Sequence, residues 1–337
     1  MAEATAPAIV VVSRQRPSFV AIDAELLARR WPVSEAPRGN PLTTLPATVR
    51  AVLSARLVYG WFAGWHTALP VTLAWLLGRP SVVVVGGIDL ANLPDIGYGF
   101  QRRGPRRWIS RWVMARATRL ITNSHFSARE LAAALPRKSA TVVHHGVPDP
   151  FGALPETTRD RRAVTVGVVD RRNLERKGLL AFVQAAAYLP DVAFTVVGRW
   201  TDDAVDVLRA EAPANVTLAG WLADEALLRE LSTAAVYVQA SRHEGFGLSV
   251  AEAMLAGAIP VVTGAGALPE VVGEAGIVVS SPDPRELATG ISAGLEAPLQ
   301  ARARARERVL SCFALAMREQ GIARVVEAAL AARKTKP

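Results

Sequence analysis

The stretch Tyr237-Val-Gln-Ala-Ser-Arg-His-Glu244-Gly245-Phe246-Gly247-Leu248-Ser-Val-Ala-Glu252 passes from a strand pattern, through a glycine-containing loop, into a helix pattern. Gly245 and Gly247 let backbone N–H groups come close to a ligand, and a helix starting near Leu248 aims its positive end at the same point. A phosphate site can be built there. Glu252 follows Leu248 by one helical turn and so faces the same side. Its carboxylate can accept bonds from both hydroxyls of a ribose, while Glu244, still on the loop, reaches a different part of the ligand, such as hexose hydroxyls. Taken singly, Glu252 reads as a solvated helix residue and Glu244 as a favourable charge ahead of a helix N-terminus. The pair, with two glycines between and the helix closed by Gly257 and Pro260, favours a ligand site.

Working outward, short β-branched runs alternate with helical patterns, which predicts βαβ units on parallel sheets. The first half has such runs at residues 8–12, 56–59, 81–85, 119–122 and 140–143. The alternation pauses over residues 146–162, where Pro148, Pro150, Gly152 and Pro155 break regular structure. It resumes at 163–169, 192–197, 215–218, 235–239, 259–262 and 276–279. The expected organisation is α/β throughout: a Rossmann-like domain over 1–150, a linker over 151–162 and a second Rossmann-like domain over 163–298. Helices over 299–337 are expected to return toward the first domain. Ser127 to Glu130 reads as a capping box that opens a helix. Ligands of such sheets bind beyond the carboxyl ends of the strands.

Composition narrows the function classes. With 337 residues, 50% hydrophobic and 20% charged, the chain suits two globular domains. Its formal charge of +9 calls for an anionic partner: nucleic acid, an acidic membrane surface or a phosphorylated small molecule. No RNP-type aromatic motif, zinc-finger spacing or helix-turn-helix signature occurs, so nucleic acid is not expected. Cys312 is the single cysteine, which rules out an intramolecular disulfide. Residues 1–16 have no basic region followed by a signal-length apolar run, and the longest apolar stretch, 68–78, contains Pro70 and is shorter than the roughly 20 residues of a membrane span. A cytoplasmic protein, with peripheral contact at the inner membrane face as an option, is the expectation. No Gly-x-Gly-x-x-Gly follows any strand, because Val250 and Pro269 occupy the third position of the two candidates; a dinucleotide cofactor is not expected. The five histidines lack partners at metal-ligand spacing, so no metal is assigned.

The Glu244 to Glu252 motif, two glutamates with seven residues between them, resembles that of the retaining glycosyltransferases of family four, whose GT-B fold has two Rossmann-like domains facing a cleft. The resemblance implies that Glu244 contacts the donor sugar and Glu252 the ribose, with the Gly245, Phe246, Gly247 and Leu248 segment at the phosphates. Residues 257–262 and 268–276 also look like the family's donor domain, which places Gly266 and Glu270 there, although Ala267 stands where a second glycine is usual. Asp170-Arg171-Arg-Asn-Leu-Glu-Arg-Lys177-Gly178 resembles the family's basic pyrophosphate clamp and implies that Arg171 and Lys177 take up leaving-group charge. As a bare charge run it reads as a solvated loop.

In the first half, Arg79-Pro-Ser-Val-Val-Val-Val-Gly-Gly-Ile-Asp89 looks like the strand and loop that carry a His-Gly-x-Asp pattern in many members, with Gly86 in the histidine's place. Gly87, Asp89 and His66 are the acceptor-side candidates; Asp89 reads equally as a loop cap. The implied activity is metal-independent transfer, with retention, of a hexose-type sugar from a UDP- or GDP-linked donor to a glycan, lipid-linked or metabolite acceptor. A sugar-nucleotide epimerase or phosphorylase of the same fold, or a silent nucleotide-sugar-binding subunit, stays open beside it. Arg102, Arg103, Arg106, Arg107 and Arg111 interleave with Trp108 and Trp112. That segment suits either an anionic lipid surface or a helix packed on its own sheet with a solvated basic face.

Overall fold

The computed structural model describes residues 9–39, 41–152 and 159–332. The expectations placed on residues 1–8, on Pro155 within the linker and on the tail after 332 lie outside the described residues. The chain divides into two compact units, residues 1–146 with 315–337 and residues 147–314.

In the first unit the strands are β1 (Ile9–Val12), β2 (Val33–Glu35), β3 (Leu57–Trp61), β4 (Ser81–Val85), β5 (Arg119–Thr122) and β6 (Thr141–Val142). They form one parallel sheet in the order β2-β1-β3-β4-β5-β6. The helices are α1 (Ser18–Ala28), α2 (Pro41–Ser54), α3 (Trp65–Leu76), α4 (Pro105–Arg116) and α5 (His125–Ala134). β1 and β4 are buried along their whole length, as strands covered on both faces by helices must be, and their valine runs follow from that. β2 was absent from the sequence reading because Val33-Ser-Glu35 is a half-exposed edge without a β-branched run. α5 is capped by Ser124, whose side chain accepts a bond from the Ser127 N–H, so the capping residue lies three positions before the expected box.

In the second unit the strands are β7 (Asp160–Val166), β8 (Ala193–Val197), β9 (Val216–Gly220), β10 (Ala234–Gln239), β11 (Ile259–Thr263) and β12 (Ile277–Val279). Again all are parallel, in the order β12-β11-β10-β7-β8-β9. The helices are α6 (Arg171–Arg176), α7 (Leu179–Ala185), α8 (Ala204–Glu211), α9 (Asp224–Thr233), α10 (Leu248–Leu255), α11 (Leu268–Val272), α12 (Pro284–Leu295) and α13 (Leu299–Cys312). Strand order runs outward in both directions from the neighbouring pair β7 and β10, which makes their carboxyl ends the topological switch point. Each unit is thus a doubly wound α/β domain.

Three expected boundaries shift. The first unit stops at Gly146, because Val147 belongs to the core of the second unit and its N–H donates to the Phe313 carbonyl at 2.8 Å. The linker ends early, since β7 begins at Asp160 and the Arg159 guanidinium donates to the carbonyls of Leu231 and Ala234 at 2.9 Å each. Helix α13 stays with the second unit, where Ala305 and Val309 are fully buried and Phe313 meets Phe246 edge-on at 5.1 Å. Only α14 (Leu315–Ala331) joins the first unit, burying Ile322, Val325 and Val326 against the β1 and β3 core.

One buried ion pair ties α14 into that core. Arg318 bonds both carboxylate oxygens of Asp23 on α1 at 2.9 and 2.7 Å, and also donates to the carbonyls of Val143 and His144. Tyr59 on β3 donates its hydroxyl to the same Asp23 at 2.7 Å. Both charged side chains are 1% exposed. Among the described residues, no helix is long and apolar enough to cross a membrane.

Candidate functional site

β10 carries Tyr237, Gln239 and then Ser241 at period two, so their side chains share one face and stack along the strand. The Tyr237 hydroxyl donates to Gln239 Oε1 at 2.9 Å, Gln239 Nε2 donates to Ser241 Oγ at 2.7 Å, and Ser241 Oγ donates to Glu244 Oε1 at 3.2 Å. This buried chain fixes Glu244 from below. From the side, Lys177 Nζ donates to the same Glu244 oxygen at 3.1 Å, and an Arg176 guanidinium nitrogen lies 4.0 Å away. Burial alone pushes the Glu244 carboxyl up, but Lys177 and Arg176 outweigh it and hold the group below the usual glutamate range. Glu244 is ionised, and it stands at the switch point.

Two glycines set the loop geometry. Gly247 has φ of 106°, a left-handed conformation, and caps α10. Gly266 has φ of 66°, and a Cβ there would lie 2.4 Å from the Glu244 carbonyl oxygen, while the Ala267 N–H donates to that same oxygen at 2.9 Å. The backbone at Gly266 therefore lies against Glu244, a contact that any side chain would break.

Glu252, in the second turn of α10, is surrounded differently. Burial pushes its carboxyl up, and among the described residues it has neither a hydrogen-bond nor an ion-pair partner. Half-buried and unpartnered, this carboxyl is open to a partner from outside the chain.

A family model described as glycosyl transferases group 1 matches residues 160–297. The lipopolysaccharide core biosynthesis mannosyltransferase LpcC of Rhizobium leguminosarum bv. viciae is 30% identical over 245 residues, 66% of this chain and 67% of that protein. This chain belongs to the group 1 glycosyltransferases. The O-antigen chain mannosyltransferase B of Escherichia coli is 32% identical over 117 residues, 32% of this chain and only 31% of that protein's length. The solved structure of Anabaena HepE in complex with UDP and glucose aligns with a TM-score of 0.76 over 95% of this chain and 99% of that one. At 18% identity this likeness is one of fold, and the two doubly wound units are those of the GT-B architecture.

The glycosyltransferase departs from its sequence reading at two positions, Arg171 and Phe246. Arg171 is not brought to Glu244: its side chain is 59% exposed and pairs with Asp203, while its N–H donates to Asp202 at 2.9 Å. The cause is local, because Asp170 caps α6 through the Asn173 N–H at 2.7 Å and turns the following residue toward the loop after β8. Arg176 takes the place beside Glu244, and Arg172, one helical turn before it, shares its face of α6. Phe246 is 3% exposed, and its ring belongs to the hydrophobic core, which leaves only its backbone for a ligand. Leu248 is partly buried against the same core, and Glu270 lies half-buried in the first turn of α11.

Asp89 takes the loop-cap role that its sequence reading left open beside the acceptor-side one. It is 0% exposed and accepts bonds from the N–H groups of Ala63 and Gly86, each at 2.9 Å. Rather than touching an acceptor, it ties the loop after β3 to the loop after β4. Gly87 beside it has φ of 81° and faces open space. His66, in the first turn of α3, sits 2.7 Å from the Trp61 carbonyl through Nε2; burial lowers its pKa, so the neutral ring donates there. Burial pushes the Asp89 carboxyl up to about 7, with the two N–H bonds holding it back. A carboxyl raised on folding keeps its proton while the unfolded chain loses it, so stability falls as pH rises from about 4 to about 7 and levels off above. Urea midpoints at about pH 5 and about pH 8 should therefore fall for the wild type and fall less for Asp89→Asn. Equal slopes would show that the carboxyl is ionised throughout.

Proposed function

We propose that this chain is a retaining hexosyltransferase that draws on a UDP- or GDP-linked sugar and needs no metal. The observation that carries the reading is the contrast at the switch point: Glu244 ionised and held by two cations, Glu252 half-buried and unpartnered a short distance along the chain. The solved complexes of HepE with UDP and glucose and with UDP-glucose, and the mannosyltransferase names of two relatives, support a nucleotide-linked hexose.

The roles follow from charge. Departure of a nucleoside diphosphate leaves negative charge on its phosphates, which fixed cations and helix N-terminal amides stabilise without reorganisation. Lys177, the Arg172 and Arg176 face of α6, and the amides of residues 245–248 are suited to that task. Glu244 is proposed to orient the sugar hydroxyls through Oε2, because Lys177 and Ser241 both donate to Oε1, and not to act as a nucleophile. The acceptor then attacks from the side the leaving group vacates. Transfer from a donor panel, followed by product NMR, is the direct test: activity should persist in excess EDTA and give the donor's anomeric configuration. Activity restored only by Mg²⁺ or Mn²⁺, or an inverted product, would overturn the reading.

Glu252 provides a second test. On this reading its carboxylate accepts both ribose hydroxyls, so Glu252→Ala should weaken binding of UDP or GDP by about 1.5 to 3 kcal/mol, roughly 10- to 150-fold in Kd. Calorimetry with the nucleotide that the wild type binds decides this, and unchanged affinity removes Glu252 from the site.

A further inference from the structure

A cavity of about 620 Å³ opens in the first unit, next to the loop that follows β4. Arg102, Arg103, Arg107 and Arg111 line it, and Glu130 is the one carboxylate among the lining residues. Two of these arginines are aimed by the protein and not left to solvent. Arg111 Nε donates to Gln101 Oε1 at 3.1 Å, and Gln101, 7% exposed, is fixed in turn through Nε2 to the Asp89 carbonyl at 2.8 Å. Arg102 Nε donates to the Gly99 carbonyl at 3.2 Å. Among the described residues, none of the four forms an ion pair with a carboxylate.

Burial, and then the charge of Arg107, push the Arg111 guanidinium below its ordinary range, as expected of neighbouring cations. An ordinary solvated basic face spreads its charges outward. Here four arginines and a single carboxylate line one ligand-sized space, and guanidinium forks match phosphate oxygens bidentately. We propose that this cavity is a phosphate-binding site that takes the phosphate or diphosphate group of the acceptor. Its assignment to the acceptor rests on the transferase reading; binding of phosphate does not. The phosphate can be carried by a lipid or by a soluble sugar. Trp108, 76% exposed and adjacent to Arg107 on α4, is positioned for the former.

Inorganic pyrophosphate titrated calorimetrically into protein saturated with UDP is the probe. The wild type should bind it, R103S/R107S should bind roughly tenfold more weakly or worse, and R103K/R107K should recover part of the loss. Neither position has a bonding partner among the described residues, so the unfolding midpoint and UDP affinity of both variants should match the wild type. Failure of the wild type to bind pyrophosphate, or equal binding by R103S/R107S, overturns the proposal. If the wild type binds neither UDP nor GDP, the transferase reading fails, while the difference between the variants still decides the cavity. Sedimentation with phosphatidylcholine vesicles containing phosphatidic acid separates the sources: co-sedimentation lost in R103S/R107S puts the phosphate on a lipid, and pyrophosphate binding without co-sedimentation puts it on a soluble acceptor.

Discussion

Lys177→Ala lowers kcat about 10²- to 10³-fold and changes KM little, the expected cost of removing one preorganised group that meets charge developing on a leaving phosphate. Its ammonium is the nearest cation to Glu244 and crosses Gly167, where even a Cβ would come within 2.8 Å of the Lys177 side chain. The lysine is therefore held in one path. Arg171→Ala, in contrast, leaves both constants near wild type, because that guanidinium is spent on Asp203. Arg172→Ala should fall between them. Steady-state kinetics on the three variants checks the order. A large loss at Arg171 with none at Lys177 would require a different clamp.

Arg318→Met and Asp23→Asn should each cost about 3 to 5 kcal/mol of stability, since either leaves the partner charge buried and uncompensated. The double replacement Asp23→Leu with Arg318→Met should be milder than the sum, because no orphaned charge remains. Chemical denaturation followed by tryptophan fluorescence reads this, with Trp61 as a local reporter 5.6 Å from the Arg318 guanidinium. Additive losses would mean that the two groups do not act as a pair. Nucleotide affinity should persist in every variant that stays folded, because the second unit contains neither residue.

Much of the architecture was legible because its cause is local. Strands covered on both faces must be apolar throughout, so runs such as Ser81–Val85 and Ile259–Thr263 announce themselves within a few residues of their true ends. The Glu244 and Glu252 spacing was legible for the same reason: one loop and one turn of helix fix it. What escaped is what depends on distant partners. Arg171 and Arg176 look alike in a charge run, and only Asp203, supplied by the loop after β8, decides which one faces Glu244. Asp89 read as a ligand contact or a loop cap, and the loop after β3 assigns it the second kind of role. The Tyr237, Gln239 and Ser241 stack did leave a signal, polar residues alternating at the end of an otherwise apolar strand. Asp23 and Arg318 left none, being 295 positions apart.

The placement of α14 has a consequence for how the chain is made. The first unit is interrupted: its sheet is synthesised before the second unit, yet the helix that covers β1 and β3 and neutralises Asp23 leaves the ribosome only after the whole second unit. The nascent first unit must wait with an apolar face uncovered and an acidic side chain unmatched. The second unit, continuous from 147 to 314, has all its strands available sooner and can fold while its neighbour is still incomplete. Of the two units, the one whose sheet emerges sooner is thus the one completed later, which makes the interval before Arg318 arrives its period of greatest exposure to chaperones and proteases.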